Sequence, residues 1–184
     1  MSRIGKKPIL LPPGIDATIE AGKVVFVSGK ASLTVVLPPQ TLVTPQSDPR
    51  SLVVTVEDGE AVDQRALWGL TRQLLNNAVA GLQKPYEKTL EFVGVGFKVA
   101  LEGRKLVMEV GYSHPVHFIL PEGVDAKIDK QLLTLSSSDK YLLGETAARV
   151  RRVKPPEPYK GKGIKYTNET IRRKAGKTAA KTAA

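Results

Sequence analysis

The sequence predicts an α+β fold made of two tandem, similar modules, each a small, mostly antiparallel sheet with one packed helix, followed by a basic C-terminal extension. Three observations support this class: a weak internal repeat, short β-branched segments bounded by Gly or Pro, and one amphipathic helix in each half. In the repeat, Pro38 and Asp58 are matched 83 and 81 residues later by Pro121 and Asp139. Such regular spacing indicates duplication of one module.

The first module is predicted from short strands that precede a long helix. Residues 15–19, 24–27 and 52–56 are rich in β-branched side chains and are flanked by turn residues, as strands usually are. A helix is predicted from about Val62 to Leu82, because a proline at position 85 disfavours helical backbone just before it. We expect one apolar stripe on this helix, formed by Ala66, Leu67, Leu70, Leu74, Ala78 and Leu82.

The second module is predicted to repeat this order. Residues 93–101 are expected to form a strand in which two glycines allow a bulge or a close backbone approach, and residues 116–121 and 132–136 continue the repeat. A helix should begin after Asp139, a suitable N-cap, and end near Val153 before two prolines. Its core face should carry Leu143, Thr146, Ala147 and Val150, whereas Arg149, Arg151 and Arg152 fall off that face.

These elements predict three parts of the chain. Residues 1–82 form the first module, residues 83–170 the second, and residues 171–184 a basic tail. The stretch 177–184 contains no pattern that could bury a core, so it should be disordered in isolation.

Charge is distributed very unevenly along the chain. Residues 1–139 carry 15 Lys and Arg against 15 Asp and Glu, whereas residues 140–184 carry 13 against 3, which accounts for the net charge of +10. No apolar run approaches the roughly 20 residues that span a bilayer, and the N-terminus lacks the apolar core of a signal peptide. We therefore expect a cytoplasmic protein with no membrane partner.

Candidate enzymatic and metal sites are weak. With no cysteine, the chain has no disulfide, thiolate metal site or thiol nucleophile. His114 and His117 point to opposite faces of an extended segment, and the Gly94-Val-Gly96 segment lacks the third glycine of a dinucleotide loop. Trp68 flanks the helical stripe and should serve packing. The sequence predicts no catalytic residue, cofactor or small-molecule substrate.

The basic segment is organised for a shaped polyanion, and we expect that polyanion to be RNA. Arginines close the second helix, prolines stiffen the exit, and Gly161 and Gly163 would let backbone N–H groups approach an anion. Neighbouring lysines would contact phosphates, while Tyr159 and Tyr166 could stack on an exposed base or pack on a sugar. The alternatives are a solvated tail, a free-standing nucleic-acid-binding regulator, or an enzyme that acts on an acidic substrate.

Several motifs resemble the family of bacterial large-subunit ribosomal protein six. The segment Pro156-Glu-Pro-Tyr-Lys-Gly-Lys-Gly-Ile164 is followed by Glu169-Thr-Ile-Arg-Arg-Lys-Ala-Gly-Lys177, which together are similar to the C-terminal motif of that family. The resemblance extends to the N-terminal Ser2-Arg-Ile-Gly-Lys-Lys-Pro-Ile and to Gly111-Tyr-Ser-His-Pro-Val. The stretch 44–50, interpreted as a loop, is individual to this chain.

The resemblance implies a non-enzymatic constituent of the large ribosomal subunit. It implies binding to large-subunit rRNA near the sarcin-ricin region, with translational GTPases nearby, and a first module directed toward the ribosomal proteins of the stalk base. The cation pattern and the resemblance together predict these RNA-binding residues: Arg149, Arg151, Arg152, Lys154, Tyr159, Lys160, Gly161, Lys162, Gly163, Lys165, Tyr166, Arg172, Arg173, Lys174 and Lys177.

Overall fold

The protein is represented by a computed structural model that describes residues 2–29, 31–47, 50–174 and 176. Within these residues, the α+β class and the two similar modules predicted from the sequence are confirmed. Most of the predicted basic tail, residues 175 and 177–184, lies outside the described residues.

The chain divides into two compact units. The first extends to Tyr86 and takes in Ser138–Lys140, and the second comprises Glu87–Ser137 and the residues from Tyr141 onward. Each unit combines two small sheets with one helix in its described part.

The first unit contains a three-stranded sheet of order β2-β3-β4 and another of order β1-β6-β5, with antiparallel pairing throughout. Its core includes the fully buried Phe26, Val54 and Leu75. The predicted loop at 44–50 begins too early, because the edge strand β5 extends to Gln46 and tolerates Pro45. The strands are β1 (Ile9–Leu10), β2 (Asp16–Glu20), β3 (Lys23–Ser28), β4 (Ala31–Val36), β5 (Thr41–Gln46) and β6 (Ser51–Val56).

Helix α1 spans Val62–Gln83, as predicted to within one residue. The C-cap residue is Lys84, whose backbone is extended because a proline follows. Trp68 serves packing, as predicted: its indole N–H donates to the Val54 carbonyl at 2.7 Å, and its ring covers Gly5.

The predicted apolar stripe of α1 is wrong in part. Leu70 and Leu74 are 50% and 40% exposed, and Ala66 is also exposed. The predicted positions 66, 70, 74, 78 and 82 recur every four residues and therefore drift around the helix by about 40° per step. The buried face instead carries Thr71, Leu75, Ala78 and Val79.

The second unit contains a three-stranded sheet of order β10-β9-β8 and a four-stranded sheet of order β11-β12-β7-β13. The order β11-β12-β7 corresponds to β5-β6-β1 of the first unit, so β13 is the additional strand and lies at the edge of β7. The strands are β7 (Tyr86–Val93), β8 (Lys98–Glu102), β9 (Lys105–Glu109), β10 (Val116–Ile119), β11 (Asp125–Asp129), β12 (Leu132–Ser137) and β13 (Gly163–Tyr166).

The predicted strand at 93–101 is wrong in part: residues 98–101 belong to β8, but a turn separates them from Val93, the last residue of β7. Gly96 has a φ of +77°, which favours glycine, and the Phe97 ring lies where a side chain at Gly94 would be. The glycines therefore end one strand and begin another instead of forming a bulge.

Helix α2 spans Lys140–Val153, directly after Asp139, and agrees with the predicted bounds. Its buried residues are those predicted from the sequence: Leu143, Thr146, Ala147 and Val150. The chain leaves α2 toward β13, and the described RNA-binding candidates lie at the end of α2, on this path, in β13 and in the segment that follows it.

Candidate nucleic-acid interface

The last turn of α2 presents cations at the negative end of the helix dipole. Arg152 is exposed and Arg151 is half-buried. Tyr112 lies beside this end and donates its hydroxyl hydrogen to the Val153 carbonyl at 2.8 Å. The ammonium of Lys154 lies 4.5 Å from the centre of the Tyr112 ring. Tyr112 was not among the predicted residues, and its place in the Gly111-Tyr-Ser-His motif was its only signal.

A short loop follows the two prolines and returns to strand β13. It is closed by two backbone bonds, from the Glu157 N–H to the Lys162 carbonyl at 2.9 Å and from the Ile164 N–H to the Lys154 carbonyl at 2.7 Å. Lys160 and Lys162 are exposed on this loop. The loop is therefore a fixed turn of the fold that carries cations.

The two glycines of the loop are buried. A Cβ atom at Gly163 would lie 2.6 Å from Cα of Pro156 and 2.7 Å from the Pro155 carbonyl oxygen. Gly161 has a φ of +74°, and the guanidinium of Arg173 lies 3.5 Å from the place of its missing Cβ. Both glycines thus shape the loop, and their contact with an anion stays a prediction.

Residues 171–174 lie beside the loop. The Lys174 N–H donates to the Pro158 carbonyl at 2.8 Å, and Arg173 lies near Gly161. Arg172, Arg173 and Lys174 are exposed. The backbone therefore brings cations from two separate stretches of sequence to one place.

Three of the predicted cations form ion pairs within the protein. Arg149 pairs with Glu145 one turn earlier on α2, and Lys165 on β13 pairs with Glu91 on β7 at 3.0 Å. Arg151 binds Glu169 through two nitrogens, one of them Nε at 2.9 Å from Oε2. The charge of these cations is partly neutralised within the protein.

The Arg151–Glu169 pair shifts the pKa of both groups. The hydrogen bond from Arg151 is the main cause that lowers the pKa of the Glu169 carboxyl, while burial opposes it. The same hydrogen bond raises the pKa of the Arg151 guanidinium. Both groups remain charged at neutral pH.

The remaining cations define what we call the basic surface. In the described part of the chain, none of them has a carboxylate oxygen within 4.0 Å. The basic surface consists of Arg152, Lys154, Lys160, Lys162, Arg172, Arg173 and Lys174.

The two predicted stacking tyrosines differ in their surroundings. Tyr159 is 57% exposed, so its ring is accessible to a base. Tyr166 is half-buried, and Lys88 and Arg151 lie 5.3 and 5.9 Å from the centre of its ring. Lys177, the last predicted residue, lies outside the described residues.

Among the described residues, no group of three His, Cys, Asp or Glu side chains could hold a metal ion, and both histidines are exposed. No helix within the described ranges is long and apolar enough to cross a membrane.

Comparison with known proteins points to one family. The sequence model described as "Ribosomal protein L6" matches residues 93–167. The chain is 50% identical over 181 residues to "Large ribosomal subunit protein uL6" of Solidesulfovibrio magneticus, covering 98% of this chain and 99% of the relative. The protein of the same name from Wolinella succinogenes is 47% identical, with 98% and 100% covered, and that from Carboxydothermus hydrogenoformans is 46% identical, with 98% of both covered.

Proposed function

The chain belongs to the uL6 family of large ribosomal subunit proteins, and on this premise we propose that it is a structural constituent of the large ribosomal subunit. In this role it serves translation in the cytoplasm by binding rRNA and neighbouring ribosomal proteins, without catalysing a reaction. Its fold supplies a scaffold that holds one cationic face in a fixed shape.

The observation that carries the RNA-binding proposal is the division of the cations into two classes. Arg149, Arg151 and Lys165 have carboxylate partners, whereas the seven cations of the basic surface have none in the described residues. An unpaired cation loses no ion pair when it binds a phosphate, so the basic surface is the part of the chain best suited to RNA. Tyr159 adds an exposed ring on which a base can stack.

The position within the subunit is a finer proposal that rests on the family resemblance. We propose that the second unit binds rRNA near the sarcin-ricin region, where translational GTPases dock, and that the first unit is directed toward the stalk base. The charge distribution supports this assignment of roles, because the net charge of +10 resides in residues 140–184. Crosslinking to large-subunit rRNA and mapping of the attached nucleotides tests it.

The proposal predicts that cations without a carboxylate partner contribute more to RNA binding than cations that form ion pairs. Replacing Lys160 and Lys162 together by Ala removes two unpaired cations, so the salt slope of binding to large-subunit rRNA should fall by about two. The matched control replaces Arg149 and Lys165, which removes the same charge from residues that already have carboxylate partners. It should change the slope much less.

Both double variants are compared with the parent protein by titration between 50 and 200 mM salt. About six phosphate contacts would weaken the parent's binding roughly a thousandfold over this range. Equal decreases of the salt slope in both variants would show that only the total charge determines RNA binding. If the parent's binding does not respond to salt, the phosphate mechanism is contradicted. Retention of the protein on large subunits through high-salt washes separates a structural constituent from a transient regulator, which would be released.

A further inference from the structure

One carboxylate stands among the RNA-facing cations. Glu169 lies in the stretch between Lys165 and Arg172, where a negative charge opposes the approach of a polyanion. Long-range electrostatics alone therefore predicts that removing this charge strengthens RNA binding. The contacts that Glu169 makes within the protein predict the opposite effect, a weaker binding of RNA when the carboxylate is removed.

The Glu169 carboxylate connects three parts of the second unit. It accepts hydrogen bonds from two nitrogens of Arg151 on α2 and from the backbone N–H of Tyr166, the last residue of β13, at 3.2 Å. The Glu169 N–H in turn donates to the Tyr166 carbonyl at 3.0 Å. Charged hydrogen bonds of this kind are among the strongest in proteins, so the turn after β13 is fixed to the end of α2.

The cations that follow depend on few other contacts. A groove of about 340 Å³ lies next to this segment and is lined in part by Glu169, Ile171 and Arg173. The groove is also lined by Val93 of β7 and Lys165 of β13. Among the described residues, the bond from the Lys174 N–H to the Pro158 carbonyl is the only backbone hydrogen bond that residues 171–174 make.

We propose that Glu169 is a positioning residue for RNA binding, which holds Arg172, Arg173 and Lys174 beside the loop that carries Lys160 and Lys162. This inference rests on the proposed function. Glu169 touches no RNA in this proposal; it fixes the direction in which the chain leaves β13. The RNA affinity gained by holding these cations in position exceeds the affinity lost through repulsion between the Glu169 carboxylate and the phosphates.

The test compares two acid-to-amide variants of the full chain. Glu169→Gln should weaken binding to large-subunit rRNA about tenfold at 0.1 M salt, roughly the value of one phosphate contact, and should lower the salt slope. Glu157→Gln is the matched control, since this carboxylate belongs to the same basic segment and accepts no hydrogen bond from a described residue. It should bind RNA slightly more tightly than the parent.

A second measurement reports how firmly the backbone that carries the cations is held. Hydrogen exchange of the Lys174 amide should accelerate in Glu169→Gln and remain unchanged in Glu157→Gln, with circular dichroism confirming that both variants are folded. If Glu169→Gln does not fold, Glu169→Asp decides, because it keeps the charge but shortens the reach: affinity below the parent supports positioning, and affinity equal to the parent overturns it.

The outcomes separate this inference from the proposed function. If the parent binds rRNA with a steep salt response and Glu169→Gln binds more tightly, the positioning role is wrong and the proposed function stands. If the parent shows no salt-dependent binding to large-subunit rRNA, the proposed function is wrong, and the positioning role that rests on it is wrong as well.

Discussion

Replacing Gly163 by Ala tests whether the loop beside β13 is as closely packed as the structure indicates. The new Cβ would lie 2.6 Å from Cα of Pro156, 2.7 Å from its nitrogen and 2.7 Å from the Pro155 carbonyl oxygen. All three atoms belong to the backbone, so no side-chain rotation relieves the overlap. Either β13 or the proline segment must move by about 1 Å to restore ordinary contact distances near 3.6 Å.

The expected loss of stability has two parts. Gly163 has a φ of +143°, and such backbone costs a residue with a side chain about 1–3 kcal/mol. Overpacking of a close contact adds about 1–3 kcal/mol. The free energy of unfolding should therefore fall by about 2–6 kcal/mol.

Gly144→Ala is the matched control for this substitution. Gly144 lies inside α2, and its added Cβ would meet no atom within 4 Å. Alanine is favoured over glycine in a helix, so this variant should gain about 0.5–1 kcal/mol.

The free energies are measured by urea unfolding followed by circular dichroism. The exchange of the Ile164 amide hydrogen, which is bonded to the Lys154 carbonyl at 2.7 Å, gives a local measurement. It should accelerate in Gly163→Ala alone. The reasoning is refuted if Gly163→Ala is as stable as the parent within about 0.5 kcal/mol, or if Gly144→Ala loses as much.

Two further predictions concern stability. The Thr71 hydroxyl is buried and finds no hydrogen-bond partner in the described residues, so Thr71→Val should stabilise the protein by about 1 kcal/mol, measured by urea unfolding followed by Trp68 fluorescence; a loss of stability would mean that the hydroxyl has a partner. The lowered pKa of Glu169 contributes stability that is fully present above the unfolded carboxyl pKa of 4.5 and is lost as pH falls through the lower folded value. The stability difference between the parent and Glu169→Gln, measured by urea unfolding at a series of pH values, should therefore shrink below about pH 4.5, and a difference that stays constant with pH contradicts this assignment.

Local signals in the sequence predicted the helices well and the strands less well. The ends of α2 follow from Asp139 and from the two prolines at 155 and 156, which act on the adjacent backbone. The buried face of α1 was harder, because Leu74 and Leu75 are neighbours and both fit a helical period. Packing against the sheets selected Leu75, and the only local sign of the error was the four-residue spacing of the predicted stripe, which drifts around a helix.

The site was predicted by residue type, but the partners of its residues were not. Glu91 and Lys165 are 74 positions apart, so their ion pair depends on the pairing of β7 with β13. Strand β13 itself was not predicted, because its Gly-Ile-Lys-Tyr sequence is short and its partner strand is distant. Sequence could therefore locate the cations and could not separate the paired ones from the unpaired ones.

The pairing of β13 with β7 has a consequence for the order of events during synthesis. Gly163 pairs with Val93, so 70 residues must be added after Val93 before this pairing can begin. Until then, the edge of β7 has no partner strand from its own chain, and Glu169 has not yet been made. The surface that we assign to rRNA thus forms only after β13 and the residues that follow it have been made, and a chain that stops short of β13 would be recognisable by its open strand edge and its failure to bind RNA.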